Sequence, residues 1–283
     1  VRPSERLTLV AALVLAAVTL AVRPEGGALR IAIFLGMAAA TLRLAKAPRT
    51  GRAGFLRDWL PVGEVLAVFL LLQPLIEALV PWRLDAVLAA LDARYLRGLV
   101  NAWQTAFDRP AAFTDAIYLA YVSYYLLPIT VAAVAWRRGP EAFERTVFAL
   151  LLGFYLTFLG YLLLPASGPR LPVEDEAHLL GGGVISDAVR AFLQAAESTT
   201  LDAFPSGHTA IAMISGVFGS WLLGRGAATA IWVWAAAIVF ATVYINVHYV
   251  VDVVAGLALA ALVLAMCPPP RDFPRGVTAP KSE

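Results

Sequence analysis

The sequence predicts an all-α fold, a polytopic transmembrane helical bundle of about eight spans. Three observations carry that prediction. Of 283 residues, 60% are hydrophobic and only 15% are charged, with a mean hydropathy of +0.75, far from the balance of a soluble domain. Apolar runs approaching the roughly 20 residues needed to cross the hydrocarbon recur along the whole chain. The basic residues concentrate in alternate connecting segments, as a multi-pass topology requires.

The runs fall at about 7–22, 27–45, 58–80, 113–135, 146–165, 206–224, 228–247 and 250–267. The first is short, and a signal-peptide core is the alternative. Val22-Arg23-Pro24 offers no persuasive cleavage site, so a retained helix is the reading. Residues 1–57 then hold two N-terminal transmembrane helices and 58–267 a six-helix core, with outer loops 81–112 and 166–205. The stretch 268–283 is a Pro-rich polar tail expected to be disordered.

Neither outer loop reads as plain coil. In 81–112, Leu84, Val87, Leu88, Leu91, Tyr95, Leu96, Val100, Trp103 and Phe107 recur at helical spacing, with Asp85, Asp92, Arg94 and Arg97 between them. Such a segment lies in the interface plane or packs over the bundle end. In 166–205, Gly181-Gly182-Gly183 precedes a short amphipathic helix with Val184, Ile185, Ala188, Val189, Phe192 and Leu193 on one side. Its length and position suggest a lid or rim.

With the N-terminus in the cytoplasm, segments 1–6, 43–57, 137–145, 225–227 and 268–283 stay inside and hold 14 of the 22 Lys and Arg residues. The densest cluster is Arg43, Lys46, Arg49, Arg52 and Arg57. Both termini are therefore cytoplasmic. The Ala/Arg-rich composition points to a GC-rich bacterial genome, hence the inner membrane. Topology accounts for the net charge of +2, which gives no reason to expect a nucleic-acid partner. The single cysteine, Cys267, excludes an intramolecular disulfide. No Cys/His cluster suggests zinc, and no metal or cofactor is expected.

Two short motifs fall at outer helix ends. In Tyr244-Ile245-Asn246-Val247-His248-Tyr249-Val250-Val251-Asp252, His248 and Asp252 stand four residues apart, on one face if both are helical. A carboxylate on one imidazole nitrogen fixes the tautomer and leaves the other free as a nucleophile. In Phe204-Pro205-Ser206-Gly207-His208, Pro205 favours a first helical turn and the exposed amides make an anion site. Gly207 permits close backbone approach, Ser206 adds a donor, and His208 can protonate a leaving alkoxide. Taken singly, the motifs also fit a helix-end pair and a Ser-capped span. Together they place two of the three histidines at neighbouring helix ends, the equipment of a phosphohistidine enzyme acting on a lipid. The third, His178, sits in the acidic run Glu174-Asp175-Glu176 and reads as a solvated loop residue.

Within the spans, Tyr118, Tyr121, Ser123, Tyr124, Tyr125, Tyr155, Thr157 and Tyr161 line a polar headgroup chamber or bond between helices. Gln73, Glu77 and Asp115 lie toward outer ends and are not assigned catalytic roles.

These motifs resemble the type 2 phosphatidic acid phosphatase superfamily, which also includes vanadium haloperoxidases. Pro-Ser-Gly-His, then a His followed four residues later by Asp, match in full and in order. The resemblance implies His248 as nucleophile, Asp252 as its partner, His208 as general acid, and Ser206 and Gly207 as phosphate ligands. The upstream motif departs. Its region is Pro165-Ala166-Ser167-Gly168-Pro169-Arg170-Leu171-Pro172, with Leu163 where the phosphatases carry Lys and Thr242 where they carry a second Arg. Arg170 remains as the phosphate cation. That pattern is more similar to the inositol phosphorylceramide synthase branch, which transfers an alcohol-phosphate headgroup between lipids. The implied partners are a membrane phospholipid donor and either a lipid hydroxyl or water as acceptor. Transfer is preferred because a site with fewer cations suits a phosphodiester, and hydrolysis stays open. A non-catalytic lipid transporter or channel is the rival from another class. A haloperoxidase fits the site chemistry but not a membrane-embedded site.

Overall fold

The computed structural model describes residues 1–48, 50–95, 110–170, 180–196 and 200–270. Leu96, Val100, Trp103, Phe107, His178 and the tail beyond Pro270 lie outside the described residues. What is described is helical; the only extended pairing among those residues is an isolated bridge between Ala166 and Asp202.

Each expected span has a helical counterpart. The first two are α1 (Pro3–Val22) and α2 (Gly27–Leu44). The third breaks into α3 (Gly51–Leu71) and α4 (Gln73–Leu79), bent by 51°. Pro74 explains the break, because it cannot donate to the carbonyl four residues back and its ring crowds that turn. The fourth runs as α6 (Ala111–Val122), a 3-10 turn Ser123–Tyr125 and α7 (Leu126–Arg138), following α5 (Asp85–Tyr95) in the chain. Pro128 has the same effect on the Tyr124 carbonyl, and the tighter turn is the local answer. Next come α8 (Pro140–Leu163), the loop helix α9 (Val184–Ala196), α10 (Gly207–Leu222), α11 (Arg225–Tyr244) and α12 (Val250–Met266).

Among the described residues five helical segments, with α6 through α7 counted as one, are long and apolar enough to cross a membrane, or six with the bent α3–α4 pair also counted as one. The chain is a multi-pass membrane protein. The two helices that carry the motifs are shorter, α10 with 16 residues and α12 with 17. At 1.5 Å per residue each rises about 25 Å, less than the ~30 Å hydrocarbon core.

One buried cluster joins α1–α4 to α8 through Leu15, Phe34, Val68, Phe143 and Phe158. A second joins α7, α8, α10, α11 and α12 through Leu127, Leu150, Ile211, Phe218, Ile238 and Val263. At one end of the bundle an ionic network ties the helices predicted to share the cytoplasmic face. Arg2 reaches Asp58 at 2.6 Å, Arg57 reaches Glu5 at 2.7 Å, and the Ser4 amide donates to Glu144 at 2.7 Å. The motifs sit at the other end.

The two loop helices form where expected, and each turns a polar side inward. In α5 the inward face is Asp85, Leu88 and Asp92, whereas Val87, Leu91 and Tyr95 are exposed. In α9, Ser186, Val189 and Arg190 are buried, and Val184, Ile185 and Phe192 point out. Polar contacts set these orientations. Asp115 of α6 accepts the amides of Gly183 and Ser186 at 2.9 and 2.8 Å, and Arg190 donates to the Tyr118 hydroxyl at 3.0 Å and to the Gly181 carbonyl at 2.6 Å. Buried donors and acceptors must be paired, and the apolar side is left for the interface.

Candidate active site

The local fold at each motif differs from the simplest reading of its sequence. Helix α10 begins at Gly207 with Ser206 as its N-cap, so Pro205 precedes the helix instead of entering its first turn. The Ser206 Oγ accepts from the Thr209 amide at 3.2 Å and from the Thr209 hydroxyl at 3.0 Å. The cap thus consumes acceptor capacity and leaves the hydroxyl's own proton to be donated. Gly207 answers to a neighbour: a Cβ there would stand 2.6 Å from the Tyr161 hydroxyl.

The second motif is likewise not one helical face. Helix α11 ends at Tyr244, Asn246 takes a left-handed conformation with φ 57°, and α12 starts at Val250 with Tyr249 as its N-cap. His248 therefore lies in the turn. The Thr242 carbonyl accepts the amides of Val247 and His248 at 3.0 and 3.1 Å, which fixes that turn. The reverse of the chain at Asn246 still brings His248 Nδ1 to 3.5 Å from Asp252 Oδ2. Asp252 also caps its own helix, accepting the Tyr249 amide at 2.8 Å.

The two motifs are bolted together through backbone. The Ser206 amide donates to the Asp252 carbonyl at 3.1 Å. A Cβ on Gly256 would lie 2.5 Å from the Ser206 carbonyl oxygen, so only glycine lets α12 approach this closely. The outcome is a direct contact between the histidines. His208 Nδ1 lies 3.3 Å from His248 Nε2. His248 is 2% exposed, and His208 is partly buried. The His208 ring stacks on Tyr121 at 4.9 Å and leans on Tyr124 at 4.2 Å between centroids. Asp252, the two imidazoles at 67° to each other and the start of α10 are thus brought together at one place.

Arg170 is near, but it has company. Its guanidinium holds Asp202 at 2.8 Å, and Asp202 is set by the bridge to Ala166, where the Ala203 amide donates to the Ala166 carbonyl at 2.9 Å. Asp202 was not legible from sequence; no spacing rule links it to a residue 32 positions earlier. At the position of the absent second arginine, Thr242 is fully buried and spends its hydroxyl on the Val239 carbonyl at 2.8 Å. At the position of the absent lysine, Leu163 is half exposed.

His208, Gly207 and Asp202 stand at the polar end of a narrow cavity between the helices. Its walls are apolar residues of α3, α7 and α8, among them Val65, Phe69, Leu150 and Phe158. Leu66, Tyr125 and Ile129 on its lining are exposed on the outer surface of the bundle. Of the tyrosine cluster, Tyr121, Tyr124, Tyr125 and Tyr161 line this cavity. Tyr118 instead pairs with Arg190, and Ser123 accepts the Trp234 indole N–H at 2.6 Å. Gln73 and Glu77 bond each other at 2.7 Å, away from the histidines.

The fold and this site describe a polytopic membrane bundle with a histidine pair at one end. The sequence model of the PAP2 superfamily matches residues 86–266, and the chain belongs to that superfamily, whose membership carries a phosphatase-type enzyme activity. Neither curated proteins nor solved structures give a match.

Proposed function

We propose that the chain is a lipid headgroup phosphotransferase working through a phosphohistidine, closest in pattern to the inositol phosphorylceramide synthase branch. The observation that carries this reading is the histidine pair, 3.3 Å apart, with His208 lining an apolar cavity. The chain or chains of a phospholipid donor occupy the cavity, and the donor phosphate parts the two rings. His248 Nε2 attacks phosphorus, and the bond to the leaving alkoxide breaks as His208 gives that oxygen a proton. Asp252 stabilises the positive charge gained by the His248 ring. Arg170, Ser206 and Gly207 at the helix start hold the phosphate oxygens. An acceptor hydroxyl then attacks phosphorus, His208 takes its proton, and the P–N bond breaks.

The charge balance favours transfer of a diester. Asp202 offsets Arg170, and Leu163 and Thr242 bring no charge. Such a site suits a monoanion better than a dianionic monoester. Hydrolysis of a lipid phosphate is the second reading, favoured by membership in the superfamily itself. The α3 wall of the cavity lies outside the matched residues, which supports a catalytic unit spanning 58–267 with residues 1–57 as added helices. The site faces away from the Arg2–Asp58 network and the basic 43–57 segment, so it is extracytoplasmic, with both termini inside.

The test uses purified protein in mixed micelles with a headgroup-labelled phospholipid, with and without diacylglycerol or ceramide, and His248→Ala as blank. Acceptor-dependent new lipid is expected. Water-soluble phosphorus alone establishes the phosphatase. In the same assay Arg170→Ala is expected to lower turnover by about 10²–10³-fold; activity within about twofold of wild type would remove Arg170 from the phosphate site.

A further inference from the structure

Between the third span and the fourth, α5 lies across the end of the bundle that holds the site, and two of its residues touch both halves of that site. Asp85 and Asp92 are two turns apart and share its inward face. The Asp85 carboxylate accepts the amides of Ser167 at 2.9 Å and Gly168 at 3.0 Å. Those residues lie three and two positions before Arg170. Asp92 Oδ1 accepts the amides of Val250 at 2.9 Å and Val251 at 3.3 Å, the first turn of α12. Leu88, between them and 2% exposed, packs in one cluster with Ala166, Ala203, Phe204 and Tyr249. The Leu84 amide adds a bond to the Pro165 carbonyl at 2.9 Å.

A helix start leaves four amides without intrahelical partners. At α12 the Tyr249 amide takes Asp252 Oδ2, and Asp92 takes the next two. Asp252 Oδ1 is buried with no hydrogen-bond partner among the described residues. With Asp92 removed, the freed amides of Val250 and Val251 compete for that carboxylate, and His248 loses its orienter. With Asp85 removed, the loop bearing Arg170 loses its anchor.

We propose that Asp85 and Asp92 are positioning residues, and that α5 is a two-point clip setting the distance between the Arg170 loop and the His248–Asp252 turn. The proposal rests on the site described under Proposed function, but the clip itself has a readout that needs no turnover. Hydrogen exchange on the full chain in detergent is read by mass spectrometry over segments 164–170 and 247–253. Asp92→Ala speeds exchange in the second segment and leaves the first unchanged; Asp85→Ala does the reverse. In the lipid assay Asp92→Ala lowers kcat by about 30–100-fold with KM within about twofold, because a misaligned nucleophile loses the reaction geometry. Asp85→Ala raises KM for the phospholipid donor by about fivefold or more, since it loosens the phosphate cation. A uniform loss of folded protein cannot produce that split.

The asparagine variants at both positions recover to within about threefold, because an amide oxygen still accepts both N–H groups. Should an alanine variant not fold, Asp92→Glu keeps the charge on an arm one methylene too long and costs kcat about tenfold. Unchanged exchange in both alanine variants, asparagine no better than alanine, or Asp92→Glu equal to wild type would each overturn the clip. Wild-type protein inert toward every phosphate lipid removes the proposed chemistry instead, and the exchange comparison then decides the clip alone.

Discussion

Replacing His248 by alanine is expected to lower turnover by about 10⁴-fold or more and to remove the covalent intermediate altogether. The argument is geometric. His248 Nε2 is the ring atom that faces His208, whose side chain lines the cavity, and Nδ1 lies 3.5 Å from Asp252 Oδ2. Among the described residues, no other side chain beside His208 combines a nucleophilic nitrogen with a carboxylate behind it. Rapid quenching with a phosphorus-labelled donor gives an acid-labile, alkali-stable label on the wild-type chain and none on His248→Ala. His208→Ala retains His248 and the means to form the bond, so it labels slowly instead of not at all. Label on a different residue, or His248→Ala above about a hundredth of wild-type activity, would falsify the phosphohistidine reading.

Gly168→Ala is expected to be nearly as damaging without touching any reacting group. Gly168 has φ +78°, and a Cβ there would stand 2.2 Å from the Val247 carbonyl oxygen, one residue before His248. The obstacle is backbone, so no rotamer change relieves it. The loop or the turn must move, at a cost of about 2–4 kcal/mol from the overlap and the left-handed conformation together. A shift of about 1 Å at His248 costs about 10²-fold in rate. Gly181→Ala is the control. It also has positive φ, +63°, but nothing within 4 Å of the added carbon, so only conformational strain of about 1 kcal/mol is expected. Thermal unfolding and kcat are measured on both variants. Equal behaviour would show that the Gly168 contact does not hold the turn.

Much of the bundle was legible because the membrane imposes simple rules on sequence. Length and hydropathy gave each helix, and basic residues gave a common face on which Arg2, Arg57, Asp58 and Glu144 do meet. That His208, His248 and Asp252 lie at neighbouring helix ends was legible too, but not how they come together. Four-residue spacing suggested a helical face, and the contact is made by a turn that reverses at Asn246. Pro205 suggested a first turn, and Ser206 took the cap. What could not be read were the supports: Asp202, Asp85 and Asp92 work across sequence separations of 32, 82 and 158 residues. Helical periodicity gave α5 and α9 but not which side each turns inward. There the need to pair backbone amides outweighed apolar burial, and the apolar sides faced out.

The ionic network at the other end of the bundle bears on how such a chain is assembled as it emerges from the ribosome. Within its own first turn α1 forms only the pair of Arg2 with Glu5, at 2.9 Å. Arg57, which completes the coordination of Glu5, arrives 52 residues later, and Glu144, which receives the Ser4 amide and hydroxyl, arrives 140 residues later. The first helix therefore enters the bilayer with most of its polar end still hydrated, and it can settle only after α3 and then α8 have been delivered. Insertion of the α1–α2 pair is in that sense provisional: the latch that ends it is encoded 140 residues further along.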